Sequence, residues 1–335
     1  MEKLLKEFPA QCASAIELGE KFNYTLPSNI QNIWIMGMGG SGIGGELMVS
    51  LVKEFSPFRI EAQQFPLIPY YVFSNTLAIL VSYSGNTKEV LDCYYNLQDK
   101  KVPILAVTSG GELAKIAKRD KVPVIIVPSG YPPRGALGYL FFPLLTLFSN
   151  LLIVKHPFNL KAIPNVLEGI KEMYLKDFSP LLATAEKVSY TLPLILASTP
   201  YLKDVARRWK CQINENAKAL ALCDFLPEFN HNTLCFLNSQ KDIDKKVSLL
   251  LLRDPEEEGD MKIAVKFLQR ITQEIYLKEF FPLGENKLER AFSLIYLGDI
   301  FSIYLARYRE QDPAKIPLIE QWKDFLSRSK DVPQF

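Results

Sequence analysis

A chain of 335 residues with 48% hydrophobic and 12% aromatic side chains has enough apolar material to bury a core in each of two ordinary domains, which excludes a disordered polymer. Its 39 basic and 37 acidic residues leave a formal charge of +2 with no long run of either sign, so no nucleic acid and no anionic membrane is expected as a partner. Five cysteines (Cys12, Cys93, Cys211, Cys223, Cys235) without a C-x-x-C pair fit reduced thiols in the cytoplasm, and a pair of histidines, His156 and His231, is too few for a convincing protein metal site.

The first residues mix acids and bases without an apolar stretch, so they read as the start of an amphipathic helical segment over 1–30 rather than as a secretory signal. A buried strand is expected at 33–36, ending in Gly37-Met38-Gly39-Gly40-Ser41-Gly42 and followed by a helix. Further strands are expected at 70–73, 78–81, 104–107 and 124–127, with helices over 87–97 and 112–119 between them. The nearly apolar stretch 136–154 is long enough to cross a bilayer, but Pro143, Thr146, Ser149 and Asn150 interrupt it and point to a buried core helix.

Strands alternating with helices predict a parallel sheet covered on both faces, here one α/β domain over 31–155. A joining stretch is expected over 156–185. The rhythm then returns over 186–310, with strands at 192–197, 233–237, 247–252 and 274–277 and helices near 205–221 and 261–274, before a terminal segment over 311–335. The two halves share a plan without a short-period repeat.

A glycine-rich turn from strand to helix lets backbone N–H groups approach a phosphate at the positive end of the helix, and Gly39, Gly40 and Ser41 are placed for this. The same letters satisfy G-x-G-x-x-G, and Glu61 lies about the right distance downstream for the ribose of a dinucleotide, the alternative of an NAD-dependent oxidoreductase. The segment Ser82-Tyr83-Ser84-Gly85-Asn86-Thr87 argues for a phosphate monoester instead, because it presents the hydroxyls of Ser82, Ser84 and Thr87 around a tight glycine turn. Thr87 is equally suited to cap the helix that follows.

These loops resemble the first sugar-isomerase (SIS) domain of phosphosugar isomerases and phosphosugar-binding regulators. Val107-Thr108-Ser109-Gly110-Gly111-Glu112-Leu113, Pro132-Pro133-Arg134-Gly135-Ala136-Leu137-Gly138-Tyr139, Asn214-Glu215-Asn216-Ala217-Lys218 and Pro227-Glu228-Phe229-Asn230-His231-Asn232 are similar, in the same order, to segments of the bifunctional phosphoglucose/phosphomannose isomerase family. The resemblance runs from about residue 31 to the C-terminus. It implies an α/β fold of two SIS domains, each a parallel-sheet sandwich with flanking helices.

It also implies an isomerase that interconverts glucose 6-phosphate, and mannose 6-phosphate, with fructose 6-phosphate, using neither metal nor organic cofactor. In that family Glu215 would be the base that moves a proton between carbons 1 and 2, a task open to a suitably placed carboxylate. Arg134, stiffened by the prolines before it, would stabilise the enediolate, and His231 would assist ring opening. Glu215 and His231 are 231 − 215 = 16 residues apart, too far for one helical face; similar enzymes are homodimers that complete each site with the partner's histidine. The terminal segment implies a lysine that reaches the sugar, Lys323, with Lys315 as the alternative. A phosphosugar sensor without catalytic activity is the remaining reading, although no helix-turn-helix stands out in the short N-terminus.

Overall fold

Apolar runs too short for helices become strands wherever both faces can be covered, and in the first half of the chain they stack into one parallel sheet. The computed structural model describes residues 1–155, 158–176, 179–238 and 246–328. In chain order the first half holds α1 (Glu2–Lys21), β1 (Asn32–Gly37), α2 (Gly39–Val52), β2 (Arg59–Gln63), β3 (Thr76–Val81), α3 (Lys88–Asp99), β4 (Ile104–Thr108), α4 (Gly111–Arg119), β5 (Val124–Ile126) and α5 (Leu137–Asn150). The strand order is β2-β1-β3-β4-β5, all parallel. β3 and β4 are buried along their whole length, as central strands covered on both faces must be.

The second half holds α6 (Ile163–Lys176), α7 (Ser179–Val188), β6 (Leu192–Ala197), α8 (Lys203–Gln212), β7 (Leu222–Phe225), β8 (Val247–Leu252), α9 (Gly259–Ile271), β9 (Tyr276–Phe280), α10 (Lys287–Tyr308) and α11 (Pro317–Arg328). Its sheet runs β7-β6-β8-β9, again all parallel. The largest core lies between the two sheets, where α1, α5, α8 and α10 contribute to one continuous cluster. Smaller cores cover the outer faces under α3 and α4 and under α9. The stretch 136–154 is a core helix as expected: α5 is buried from Leu137 to Phe148 with Pro143 inside it. Among the described residues no helix is long and apolar enough to cross a membrane.

Several expectations need correction. The segment 70–73 is a turn: the Val72 N–H donates back to the Pro69 carbonyl at 3.1 Å, which takes it from any ladder, and Tyr70 is 92% exposed. The strand beside β1 is instead Arg59–Gln63, a polar edge strand with Arg59 exposed and Ile60 buried. The segment 233–237 is a 3₁₀ helix, Thr233–Asn238: the Thr233 N–H donates to the Asn232 side-chain oxygen, a local bond that competes with a strand ladder. The edge place goes to Leu222–Phe225, and the strand expected at 274–277 lies at Tyr276–Phe280. The helix expected to 221 stops at Gln212 and widens into a π turn, Ile213–Ala217, that ends at left-handed Lys218. The stretch 156–185 carries α6 and the start of α7, and His156 lies outside the described residues.

Candidate active site

In a parallel sheet the helices begin at the carboxyl ends of the strands, so their free N–H groups gather along one edge. Here α2 begins after β1, α3 after β3 and α4 after β4. The loops entering α3 and α4 are interlocked. Gly85 (φ +68°) lies so close to the neighbouring loop that a Cβ there would sit 1.9 Å from the Gly110 carbonyl oxygen, and one on Gly111 (φ +70°) would sit 2.2 Å from that of Ser84. Leu113 N–H donates to the Gly85 carbonyl and Glu112 N–H to Asn86 Oδ1, both at 2.9 Å, closing the pair of loops.

The hydroxyls expected on this edge divide by role. Ser41 is buried and its Oγ accepts from Tyr83 N–H at 3.1 Å, tying the α2 entrance to the next loop. Ser82 is buried, lies 2.8 Å from Thr87 Oγ1 and accepts from Gly85 N–H at 3.1 Å. Ser84 is exposed and Thr87 half-buried, so these two residues and exposed Gly39 can be reached from solvent. Glu61, the acid that a dinucleotide would need, is instead engaged on the edge strand by Arg59 and Tyr71.

Gly40 brings this edge to Arg134. A Cβ on it would stand 2.8 Å from the backbone nitrogen of Arg134, which occupies a short turn, Pro133–Gly135, before α5. Arg134 is 3% exposed and every arm of its guanidinium is engaged. Nε donates to Asn216 Oδ1 at 3.0 Å, Nη2 to the Pro313 carbonyl at 2.8 Å and the Ala314 carbonyl at 3.3 Å, and Nη1 lies 3.6 Å from Glu215 Oε2. Burial pulls the Arg134 pKa down and the Glu215 carboxylate opposes that pull; a guanidinium starts high enough to stay charged. Glu215 itself is a quarter exposed, on the π turn.

One cleft is lined by Gly39, Gly40, Arg134, Arg207, Arg208 and Glu215, with Ile43, Gln64, Cys211 and Gln212 completing the wall. The structure therefore brings Gly39 and Gly40 together with Arg134 and Glu215. It does not bring His231 to that wall: the histidine is exposed at the end of a short helical turn, Glu228–His231. Lys323 is exposed on α11, and Lys315 is exposed 3.9 Å from Asp312.

Four further residues complete the cluster without having been read from the sequence as site residues. Asn216 holds Arg134 on one side and Ser302 on the other. Lys218 directs Nζ to the carbonyls of Asn216 and Asp312; its pKa is pulled down by burial, then by the Arg134 charge, while Asp312 and Glu215 oppose this. Arg208 and Asp299 form a buried ion pair at 2.6 Å, with the Asp299 carboxyl pushed up by burial and held back by Arg208 and Gln212. Asn216 and Lys218 could have been found in Asn214-Glu215-Asn216-Ala217-Lys218. Arg208 and Asp299 sit in helices whose composition reads as packing.

Residues 179–326 match the family described as the bacterial phospho-glucose isomerase C-terminal SIS domain. The chain is 34% identical over 331 residues to the bifunctional phosphoglucose/phosphomannose isomerase of Caldicellulosiruptor bescii, covering 96% of this chain and 98% of that one. It is 33% identical over 296 residues to the protein of that name from Thermoplasma acidophilum, covering 88% and 90%. The fold is shared with the tagatose-6-phosphate ketose/aldose isomerase of Escherichia coli, at a TM-score of 0.71 and 15% identity over 93% of each chain. Sequence motifs, paired parallel sheets and relatives matched over nearly their full length agree that the chain belongs to the bifunctional phosphoglucose/phosphomannose isomerase family.

Proposed function

We propose that this protein interconverts glucose 6-phosphate and mannose 6-phosphate with fructose 6-phosphate through a cis-enediolate. The observation that carries the reading is the Glu215 carboxylate set 3.6 Å from the buried Arg134 guanidinium in one cleft with the Gly39-Gly40 helix start. The phosphate, which does not react, would rest on the helix starts and the Ser84 and Thr87 hydroxyls, with Ser41 and Ser82 holding their loops in shape. Glu215 would take the proton from carbon 2 of the aldose and return it to carbon 1, while the oxygen on carbon 1 gains a proton and that on carbon 2 loses one. Arg134, already fixed by its other contacts, would meet the negative charge that develops on the two oxygens. Accepting both aldoses requires protonation on either face of carbon 2 and rotation about the bond between carbons 2 and 3.

The exposed position of His231 supports a homodimer in which each subunit lends this histidine to its partner's cleft for ring opening. Lys323, or Lys315, would reach the sugar from the terminal segment. The reaction moves protons only, so activity in the cytoplasm should need neither metal nor organic cofactor. The test is to supply fructose 6-phosphate in the presence of a chelator and resolve the products by chromatography. Both aldoses are expected. Glucose 6-phosphate alone would remove the mannose half of the proposal, and binding without conversion would favour a phosphosugar sensor.

A further inference from the structure

Behind the Arg134–Glu215 pair stands one turn of α10, and its contacts lead to Arg134 and to the turn that carries Glu215. Asp299 is 6% exposed, and its two oxygens take separate donors: Arg208 Nη2 reaches Oδ2 at 2.6 Å, and Gln212 Nε2 reaches Oδ1 at 2.7 Å. The same Arg208 Nη2 donates to the main-chain carbonyl of Arg134 at 3.0 Å. Three residues along α10 and on the same face, the Ser302 hydroxyl accepts from Asn216 Nδ2 at 2.9 Å, and Asn216 Oδ1 accepts from the Arg134 guanidinium at 3.0 Å. Arg134 is thus held at its backbone through Arg208 to Asp299, and at its guanidinium through Asn216 to Ser302. Gln212 and Asn216 flank Glu215 in sequence, so the same face of α10 also holds the turn that carries the base.

The approach of α10 is itself specified. A Cβ on Gly298 would fall 2.2 Å from Nε1 of Trp209, whose ring nitrogen donates to the Leu294 carbonyl at 2.8 Å, so a larger residue at 298 would push α10 away from α8. A buried ion pair is a poor device for stability alone, since well-packed apolar side chains often serve as well or better. One placed where it fixes two reacting groups relative to each other has a different use.

We infer that Asp299 is a positioning residue for the isomerisation, setting the distance between Arg134 and Glu215 through Arg208 and Gln212, with Ser302 supporting it through Asn216. The inference rests on the isomerase reading above. It differs from a structural role in what it moves: misplacing a group that meets charge only in the transition state lowers kcat and leaves ground-state binding alone. Asp299→Asn, of the same shape but without the charge that holds Arg208, is expected to lose about 10- to 100-fold in kcat while KM for fructose 6-phosphate stays within about twofold. Combined with Arg134→Lys, it should add little to the loss that Arg134→Lys causes alone, because the two act through one interaction.

Removing the charge leaves Arg208 unpaired in the interior, so Ser302→Ala is the second variant. It takes away the acceptor behind Asn216 together with the hydroxyl's own bond to the Asp299 main-chain carbonyl, leaves the Arg208–Asp299 charge pair in place, and is expected to lower kcat about three- to tenfold, again without a change in KM. A wild-type protein that leaves fructose 6-phosphate unchanged overturns the isomerase reading, and this inference with it. Should the wild type isomerise, unchanged kcat in either folded variant, a rise in KM alone, or losses that multiply with Arg134→Lys would overturn the positioning role and leave the isomerase reading standing.

Discussion

The two sides of the cleft are made of different materials. On the side of the first sheet, Gly39 and Gly40 line the cleft and the neighbouring loop carries the Ser84 and Thr87 hydroxyls, with no formal charge in either stretch; buried Ser41 and Ser82 hold the loops, together with glycine contacts in which one backbone touches another. On the other side Arg134, Arg208, Glu215 and Asp299 form a charged network, three of them buried, strung across a turn, α8 and α10. A phosphate that stays on the sugar brings its own charge and asks only for donors at fixed positions, which helix starts provide. Charge that appears and vanishes at carbons 1 and 2 asks for groups ionised and oriented beforehand, where water is scarce enough for them to act strongly. With the proposed binding on one side and the proposed chemistry on the other, substitutions on the two sides should fail in different ways.

The largest expected effect is on the charged side. Glu215→Gln keeps the shape and loses the base, so kcat should fall about 10²- to 10⁴-fold while the folded protein still binds fructose 6-phosphate. Near-normal turnover would place the base elsewhere. If His231 serves the partner's cleft, mixing this variant with His231→Ala and allowing subunits to exchange should restore part of the activity, since a mixed dimer carries one site with both residues intact. Demonstrated exchange without recovery would put both residues in one subunit's site.

Arg134→Lys comes next. A lysine keeps the charge but cannot donate at once to Asn216, Pro313 and Ala314 while facing Glu215, so the charge loses its fixed direction. We expect about 10- to 100-fold in kcat with a smaller change in KM, measured by steady-state kinetics in the fructose 6-phosphate direction. A variant that raises KM alone would move Arg134 to the binding side of the comparison.

Gly85→Ala strikes the uncharged side at its backbone. The residue has φ +68°, and the added carbon would meet the Gly110 carbonyl at 1.9 Å, so the two loops must part. A cost of about 1–3 kcal/mol in stability is expected, together with an increase in KM, because Ser84 and Thr87 move with their loop. Thermal unfolding and kinetics on the same preparation check both. A stable variant with wild-type KM would separate the interlocked loops from the phosphate.

Much of this division was legible in the sequence, for physical reasons that also explain what was not. Gly39-Gly40-Ser41 and Ser82 to Thr87 are local, so their strand-turn-helix context follows from neighbouring residues and places the uncharged side. The central strands stand out because both of their faces are buried, whereas the edge strands Arg59–Gln63 and Leu222–Phe225 are short, carry charged residues and are only partly buried. Glu215 and Arg134 were found through motif resemblance, and the structure sets them in one cleft although 215 − 134 = 81 residues separate them. The anchors of that pair were not legible. Asp299 and Ser302 lie in a helix buried from Leu288 to Ala306 except at Leu297, where the apolar residues dominate the pattern and only tertiary contact reveals what the polar ones hold.

The smallest expected effect is the sharpest test of the uncharged side. Ser84 is exposed, and among the described residues its Oγ accepts only from the nearby Asn86 N–H, at 3.2 Å, so its loss should leave the fold unchanged. Thr87 stands at the start of α3 with Oγ1 2.8 Å from Ser82 Oγ, so its loss removes the proposed phosphate contact and one local bond. A hydroxyl that touches a phosphate does so equally before and during the reaction, and such uniform binding appears in KM and not in kcat. A neutral hydrogen bond contributes about 0.5–1.5 kcal/mol, so Ser84→Ala and Thr87→Ala should each raise KM by about two- to tenfold with kcat held. Because the helix starts remain in both, the double variant should still bind, with the two increases roughly multiplied. An unchanged KM in both single variants would take this loop out of the site and leave the helix starts as the phosphate's only support; a fall in kcat would mean that the phosphate's grip and the chemistry are not separable after all.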